Sequence, residues 1–155
     1  MHTMNPESRM WFYGLNTPMS AAQAEELRGI MDAFVGGWKA HGAQLAAAYR
    51  IIADQFLIIA VDESQQQATG CSIDKSVHLL QEFGAKHHLD FFNRMLVHVM
   101  ENGAFASYST SELKAAIAEG KIGPKTQIMN TTAATLQESG MGTLDLADSW
   151  AAKYL

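Results

Sequence analysis

The sequence is poor in the features that mark several large classes of protein. It has one cysteine, which excludes an intrachain disulfide framework and a metal site built from several cysteines. Its 11 Lys and Arg are scattered and are outnumbered by 16 Asp and Glu, so the basic patch of a nucleic-acid-binding protein is missing. The longest strongly apolar run, Phe56 to Val61, is far too short to cross a bilayer.

The first residues, MHTMNPESRM, lack the apolar segment of a secretory signal peptide. A single cysteine suits a reducing compartment. With 48% hydrophobic and 17% charged residues, a chain of 155 residues can form a domain with a sizeable core. We therefore predict one cytoplasmic domain, residues 1–155, with no nucleic-acid partner and no membrane insertion.

Well-known catalytic motifs are missing too. A Walker A loop needs two glycines, a lysine and a Ser or Thr to hold phosphates and magnesium. The only Gly-Lys pair, Gly120–Lys121, is followed by Ile122, and Ala115 stands where the first glycine belongs. His87 and His88 are adjacent, so on a helix they point in different directions and form a poor metal site. We predict no metal and no cofactor.

What the chain does contain is an alternation of strand and helix patterns. Four segments have the composition of strands: residues 9–15, 45–52, 55–61 and 95–100. Two segments have apolar residues at helical spacing: residues 20–41, opened by a Ser20–Gln23 capping box and ended near His41–Gly42, and residues 72–86. Both faces of 55–61 are apolar, so we expect this strand at the centre of a sheet.

The resulting order, β-α-β-β-α-β, is that of an α+β, ferredoxin-like antiparallel sheet with both helices on one face. This core would span residues 9–108, with 104–108 continuing the fourth strand as a hairpin. A C-terminal extension, 109–155, follows. We expect it to contain a capped helix from Ser109, an edge strand at 126–130 and a short terminal helix or tail. This extension, or a second subunit, should cover the open face of the sheet.

The loop from Asp62 to Asp74 is the most suggestive stretch for chemistry. It joins the central strand to the second helix, which places Cys71 at a helix N-terminus, where the dipole favours a thiolate. The predicted topology brings His41 to the same edge of the sheet. A catalytic set of Cys71, His41 and Asp62 is therefore allowed, with the thiolate as nucleophile and the imidazole as base.

Five neighbouring residues form a candidate ligand-binding set: Glu63, Ser64, Gly70, Ser72 and Asp74. Each candidate also has a structural interpretation. A free cysteine commonly only packs, Ser72 or Asp74 can cap the helix, and His41 can lie at a helix C-terminus. Similarly, Trp11, Trp38 and Trp150 fit either core packing or a dimer interface.

Several short motifs together resemble a small uncharacterised bacterial family. They are Trp11, the W-x-x-H-G at 38–42, AVDES at 60–64, GCSID at 70–74, Asp90-Phe91-Phe92 and DSW at 148–150. Members of that family are often labelled "ABC transporter ATPase". The missing P-loop and the missing L-S-G-G-Q signature are incompatible with that label for this chain. The family has no established activity, so the resemblance implies no functional residues.

Two hypotheses about function remain open. The first is a non-catalytic α+β protein, a homodimer, that binds a partner or a small ligand; it predicts a buried Cys71. The second is a small thiol-dependent or acid–base enzyme at the Asp62–Cys71 loop, and it predicts an exposed Cys71 with a low pKa. We favour the first.

Overall fold

A computed structural model describes residues 4–140 and 142–155 as a mixed α and β protein with antiparallel sheets. The strands are β1 (Arg9–Gly14), β2 (Lys39–Ala40), β3 (Ala43–Gln44), β4 (Ala46–Ile52), β5 (Phe56–Asp62), β6 (Val97–Glu101), β7 (Ala104–Tyr108), β8 (Gln127–Met129) and β9 (Thr143–Asp145). The helices are α1 (Ala21–Gly37), α2 (Gly70–His87), α3 (Thr110–Ala118) and α4 (Leu136–Ser139). Two short 3₁₀ helices, Leu146–Asp148 and Trp150–Tyr154, end the chain. Within these residues, no helix combines the length and apolar character needed to cross a membrane.

The first sheet has three antiparallel strands in the order β1-β5-β4. The prediction that the strand at residues 55–61, which is β5, lies at the centre of a sheet is therefore confirmed. One face of this sheet packs against both long helices, because Leu27 of α1 and Leu80 of α2 lie in one buried cluster with Ile59 of β5. The placement of both helices on one face is thus as expected.

The start of α1 follows the sequence, but its end does not. Ser20 and Gln23 form the predicted capping box, in which each side chain accepts the backbone N–H of the other residue. The helix ends at Gly37, not near His41. His41 and Gly42 instead form a tight turn with φ of 52° and 76°, which joins β2 to β3. Two successive left-handed residues favour a two-residue hairpin turn over a helix end.

The second sheet has four antiparallel strands in the order β7-β6-β8-β9. Here the ferredoxin-like topology is not confirmed, because β6, the expected fourth strand of the first sheet, lies in this second sheet. The physical reason is that both edges of β6 are occupied. Asn102–Gly103 turns the chain with φ of 51° and 81°, so β7 pairs with one edge, and β8 pairs with the other.

The C-terminal extension is more ordered than its sequence indicates. The helix after Ser109 is confirmed as α3, with the Ser109 hydroxyl accepting the Glu112 N–H. The strand expected at an edge, β8, is internal, since it pairs with both β6 and β9. The extension also covers part of the open face of the first sheet, where Ala133 and Leu136 pack against Ile58.

Aromatic contacts join the two sheets. The ring of Phe56, in β5, lies 4.9 Å from the ring of His98 in β6 and 5.0 Å from that of Phe105 in β7, both edge to face. Val97 and Val99 are buried in the core of the second sheet. Because side chains alternate along a strand, His98 faces the opposite way, toward the first sheet.

Candidate functional site

The predicted thiol site lies at the start of α2. Thr69 caps this helix, and its hydroxyl accepts the Ser72 N–H, so Cys71 lies in the first turn as expected. Cys71 is exposed, which contradicts the burial expected from the non-catalytic hypothesis. The helix begins earlier than predicted because Thr69, and neither Ser72 nor Asp74, acts as its N-cap.

The polar residues of this loop are engaged in local hydrogen bonds. The Asp62 carboxylate accepts the Ser64 N–H at 3.0 Å, and this bond holds the pKa of Asp62 below its ordinary value. The Glu63 carboxylate accepts the Ala68 N–H at 2.9 Å. These bonds shape the loop and leave its exposed Ser64 at the surface.

The residues in the first turn of α2 likewise have structural roles. Ser72 is buried, and its hydroxyl donates to the Thr69 carbonyl oxygen at 2.8 Å. A Cβ added at Gly70 would meet no atom within 4 Å, so no close approach explains the glycine. Asp74 is exposed. This part of the candidate ligand-binding set is therefore a capped helix start.

The end of α1 and the start of α2 lie side by side, as predicted for the edge that carries Cys71. The indole N–H of Trp38 donates to the Ser72 carbonyl oxygen at 2.8 Å, which fixes the end of α1 beside the start of α2. His41 lies nearby in the sequence, in the exposed turn between β2 and β3. In the described part of the chain, no hydrogen bond joins Cys71, His41 and Asp62, and no group of three His, Cys, Asp or Glu residues is arranged to hold a metal. Catalysis by this set stays a prediction.

A different region has the geometry of a binding site. The segment 131–135 runs antiparallel to the start of β1, where the Met10 N–H donates to the Ala134 carbonyl oxygen at 2.9 Å. Beyond this bond the outer edge of β1 borders a cleft of about 340 Å³. Its other walls are residues 131–134 and the chain around the start of β6, from Phe91 to His98.

His98 is the notable polar residue of the cleft wall. It is only 2% exposed, and its Nδ1 lies 2.7 Å from the Ser107 hydroxyl. Ser107 also accepts a hydrogen bond of 2.9 Å from the amide nitrogen of Gln55, which itself is 2% exposed. The network Gln55–Ser107–His98 thus links the turn before β5 to β7 and β6. Burial lowers the pKa of His98 to about 4, so the imidazole is neutral at pH 7.

The sequence contained one signal for this network. An Asn-Gly turn at 102–103 fixes the register of its hairpin, and that register places His98 directly opposite Ser107. Nothing in the local sequence indicated the third member, because Gln55 lies far along the chain, in the turn between β4 and β5. The cleft itself exists because β6 belongs to the second sheet and not to the first, which local patterns did not predict.

Comparison with protein-family models, curated proteins and solved structures gave no match for this chain. Membership of the bacterial family suggested by the sequence motifs stays a prediction. Evidence about function therefore comes from the geometry of the site.

Proposed function

We propose that this protein binds a small ligand, without transforming it, in the cleft bordered by β1, β6 and residues 131–134. The observation that carries the proposal is His98, a buried imidazole on the cleft wall whose Nδ1 is held by Ser107. Its Nε2 makes no hydrogen bond to the described residues. Among the described residues, Ser8 Oγ is the one fully enclosed side-chain polar atom without a partner, so His98 Nε2 retains contact with the cleft. A ligand in the cleft can therefore form a hydrogen bond with it.

The lining residues support binding over catalysis. They include no carboxylate and no thiol, so the cleft offers neither a nucleophilic cysteine nor an acidic partner for the histidine. Cys71 and His41 do not line it. The walls combine apolar side chains with polar groups in similar measure, so a ligand with both apolar and polar parts fits them.

Binding can be tested by screening a fragment library against the ¹⁵N-labelled protein. We expect hits to shift the amide signals of Gly14, Leu96 and Ala133, which line the cleft. The variant Thr132→Trp should abolish these shifts by filling the cleft from its exposed rim. Thr17→Trp places the same side chain on an exposed residue outside the lining and should leave them intact. Hits that shift only other regions would refute the proposal.

The proposal includes a homodimer, which the open edge of β4 supports. This strand has seven residues, Ala46–Ile52, of which only Arg50 is charged, and no described strand pairs with its outer edge. Such an edge can pair with a second copy of itself. Light scattering coupled to gel filtration tests this, and the substitution Ala48→Pro should yield a monomer. A wild-type monomer would refute this part of the proposal.

A second candidate function, thiol chemistry at Cys71, is favoured by the exposure of that side chain in the first turn of α2. Thiolates, not thiols, react with iodoacetamide. A labelling rate that is already high near neutral pH would support this candidate. A rate that rises only above about pH 8.5 would match an ordinary thiol and count against it.

We also propose a cytoplasmic location. An exposed, unpaired thiol such as Cys71 is chemically most stable in a reducing compartment. Fractionation of the source cells, followed by immunoblotting, would test this, and recovery with secreted proteins would refute it.

A further inference from the structure

The hydrogen bonds behind His98 determine which ring nitrogen carries its proton. The Gln55 amide nitrogen donates to the Leu15 carbonyl oxygen at 2.8 Å, and because a carbonyl only accepts, this assigns the amide orientation. The same nitrogen donates to the Ser107 oxygen. The Ser107 oxygen could accept a second hydrogen bond, but its own proton has no acceptor among the described residues other than His98 Nδ1, which lies 2.7 Å away. Nδ1 accepts, so Nε2 carries the proton.

Gly14 leaves room at that Nε2–H group. A Cβ added at Gly14 would lie 2.8 Å from Nε2, closer than real contacts allow. Both residues line the cleft. The wall of the cleft therefore includes a hydrogen-bond donor, the Nε2–H of His98, whose direction is fixed from behind by Ser107.

The charge of the cleft is opposite to that of the whole protein. The formal net charge is −5, yet the described lining residues include the exposed Arg94 and no Asp or Glu. No described carboxylate forms an ion pair with Arg94. Its positive charge also acts on Tyr13, another lining residue, where it partly offsets the burial that raises the tyrosine pKa. A negatively charged ligand would therefore meet an unpaired cation and no repelling carboxylate.

The remaining walls are suited to an apolar body. Met10, Phe12, Phe91 and Leu96 line the cleft beside the polar groups. Arg94 is the one cation among the described lining residues, and its single charge matches that of a carboxylate, whereas a phosphate dianion would require more positive charge. The cleft therefore combines a position for one carboxylate with apolar side chains.

We propose that the ligand is a small carboxylic acid with a compact apolar group, whose carboxylate accepts the Nε2–H of His98 and pairs with Arg94. This inference rests on the proposed binding function and adds the chemical class of the ligand. It assigns separate roles to the two residues. His98 fixes the orientation of the carboxylate, and Arg94 supplies the charge that attracts it.

The test is titration of the labelled protein with benzoate, followed through the imidazole ¹⁵N signals of His98 and the amide signals of the cleft. Benzamide, which has the same shape but no charge, and inorganic phosphate, which has charge but no apolar group, serve as comparison probes. We expect benzoate to shift the Nε2 signal and to bind at least about tenfold more tightly than either comparison probe.

Arg94→Gln should weaken benzoate binding by about tenfold, because it removes the paired cation. Lys75→Gln removes the same charge from an exposed position of α2 that does not line the cleft, and should leave binding unchanged. An equal effect of both variants would show that only net charge matters, and would overturn the assignment of Arg94.

The other outcomes separate the two proposals. Benzamide binding in the cleft as tightly as benzoate would overturn the carboxylate inference and leave the binding function standing. Phosphate binding more tightly than benzoate would do the same. If the imidazole signals show the proton on Nδ1, the donor assignment is wrong. If neither these probes nor the fragment library shifts the cleft signals, both proposals fail.

Discussion

Ser107 and Ser8 allow one chemical change to be made in two opposite settings. The Ser107 oxygen bonds to the Gln55 amide at 2.9 Å and to His98 Nδ1 at 2.7 Å. Ser8 is 2% exposed, and its hydroxyl has no hydrogen-bond partner among the described residues. Each residue can be replaced by alanine, which removes one oxygen and little volume.

Ser107→Ala should lower the free energy of unfolding by about 2 kcal/mol. The change leaves one N–H of the Gln55 amide and Nδ1 of His98 without partners, and both residues are 2% exposed. A buried polar group left unsatisfied costs about 1–3 kcal/mol, and we take the lower end for each because Ser107 itself is only half-buried. Ser8→Ala removes a hydroxyl that makes no bond, so we expect no loss and a gain of up to about 1 kcal/mol.

Urea unfolding of the three proteins, extrapolated linearly to water, measures this difference. The imidazole ¹⁵N signals of His98 provide a second measurement, because Ser107→Ala should remove the preference for a proton on Nε2 whereas Ser8→Ala should not. If Ser107→Ala is as stable as Ser8→Ala and the imidazole signals do not change, the Gln55–Ser107–His98 network does not hold the histidine. A donor of fixed direction on the cleft wall would then be ruled out.

Three further predictions concern packing, protonation and exposure. Gly84→Ala should destabilise the protein by about 3 kcal/mol, because the new Cβ would lie 2.3 Å from the Leu89 carbonyl oxygen. Gly29→Ala, with no atom within 4 Å of the new Cβ, should instead stabilise α1 by about 1 kcal/mol. Urea unfolding measures both changes, and changes of the same sign would contradict the packing argument. His98 takes up a proton near pH 6.5 in the unfolded chain but only near pH 4 in the folded chain. The free energy of unfolding should therefore fall by up to about 3 kcal/mol as the pH drops through this range. Urea curves for His98→Asn should show a smaller loss over the same range. Cys71 should react fully with a thiol reagent in the native protein, as intact-mass spectrometry would show, and protection until denaturant is added would contradict its exposure.

Local patterns in the sequence accounted for the first sheet well. Apolar residues on both faces of 55–61 correctly placed that strand at the centre, because only a central strand buries both faces. The capping signals at Ser20 and Ser109 were also correct, since a hydroxyl that accepts a helical N–H is a local interaction. These features depend on residues close together in the chain.

The errors arose where pairing between distant residues decided the structure. No local pattern shows that β8 would take the second edge of β6, so β6 was assigned to the first sheet. In the candidate site, too, local features were predicted correctly and contacts between distant residues were not. Cys71 was placed correctly at a helix start, a local feature. The network of His98, in contrast, depends on Gln55, which lies in the turn between the distant strands β4 and β5.

The position of β6 has a consequence for the time course of folding. The cleft walls come from residues 10–14, 91–98 and 131–134, so the cleft closes only after segments more than a hundred residues apart have met. Such contacts form slowly, because the intervening chain must lose entropy before they contribute. A ligand that binds only the assembled cleft would leave early folding unaffected and slow unfolding. Unfolding rates would then detect occupancy of the cleft even when the ligand itself has no spectroscopic signal.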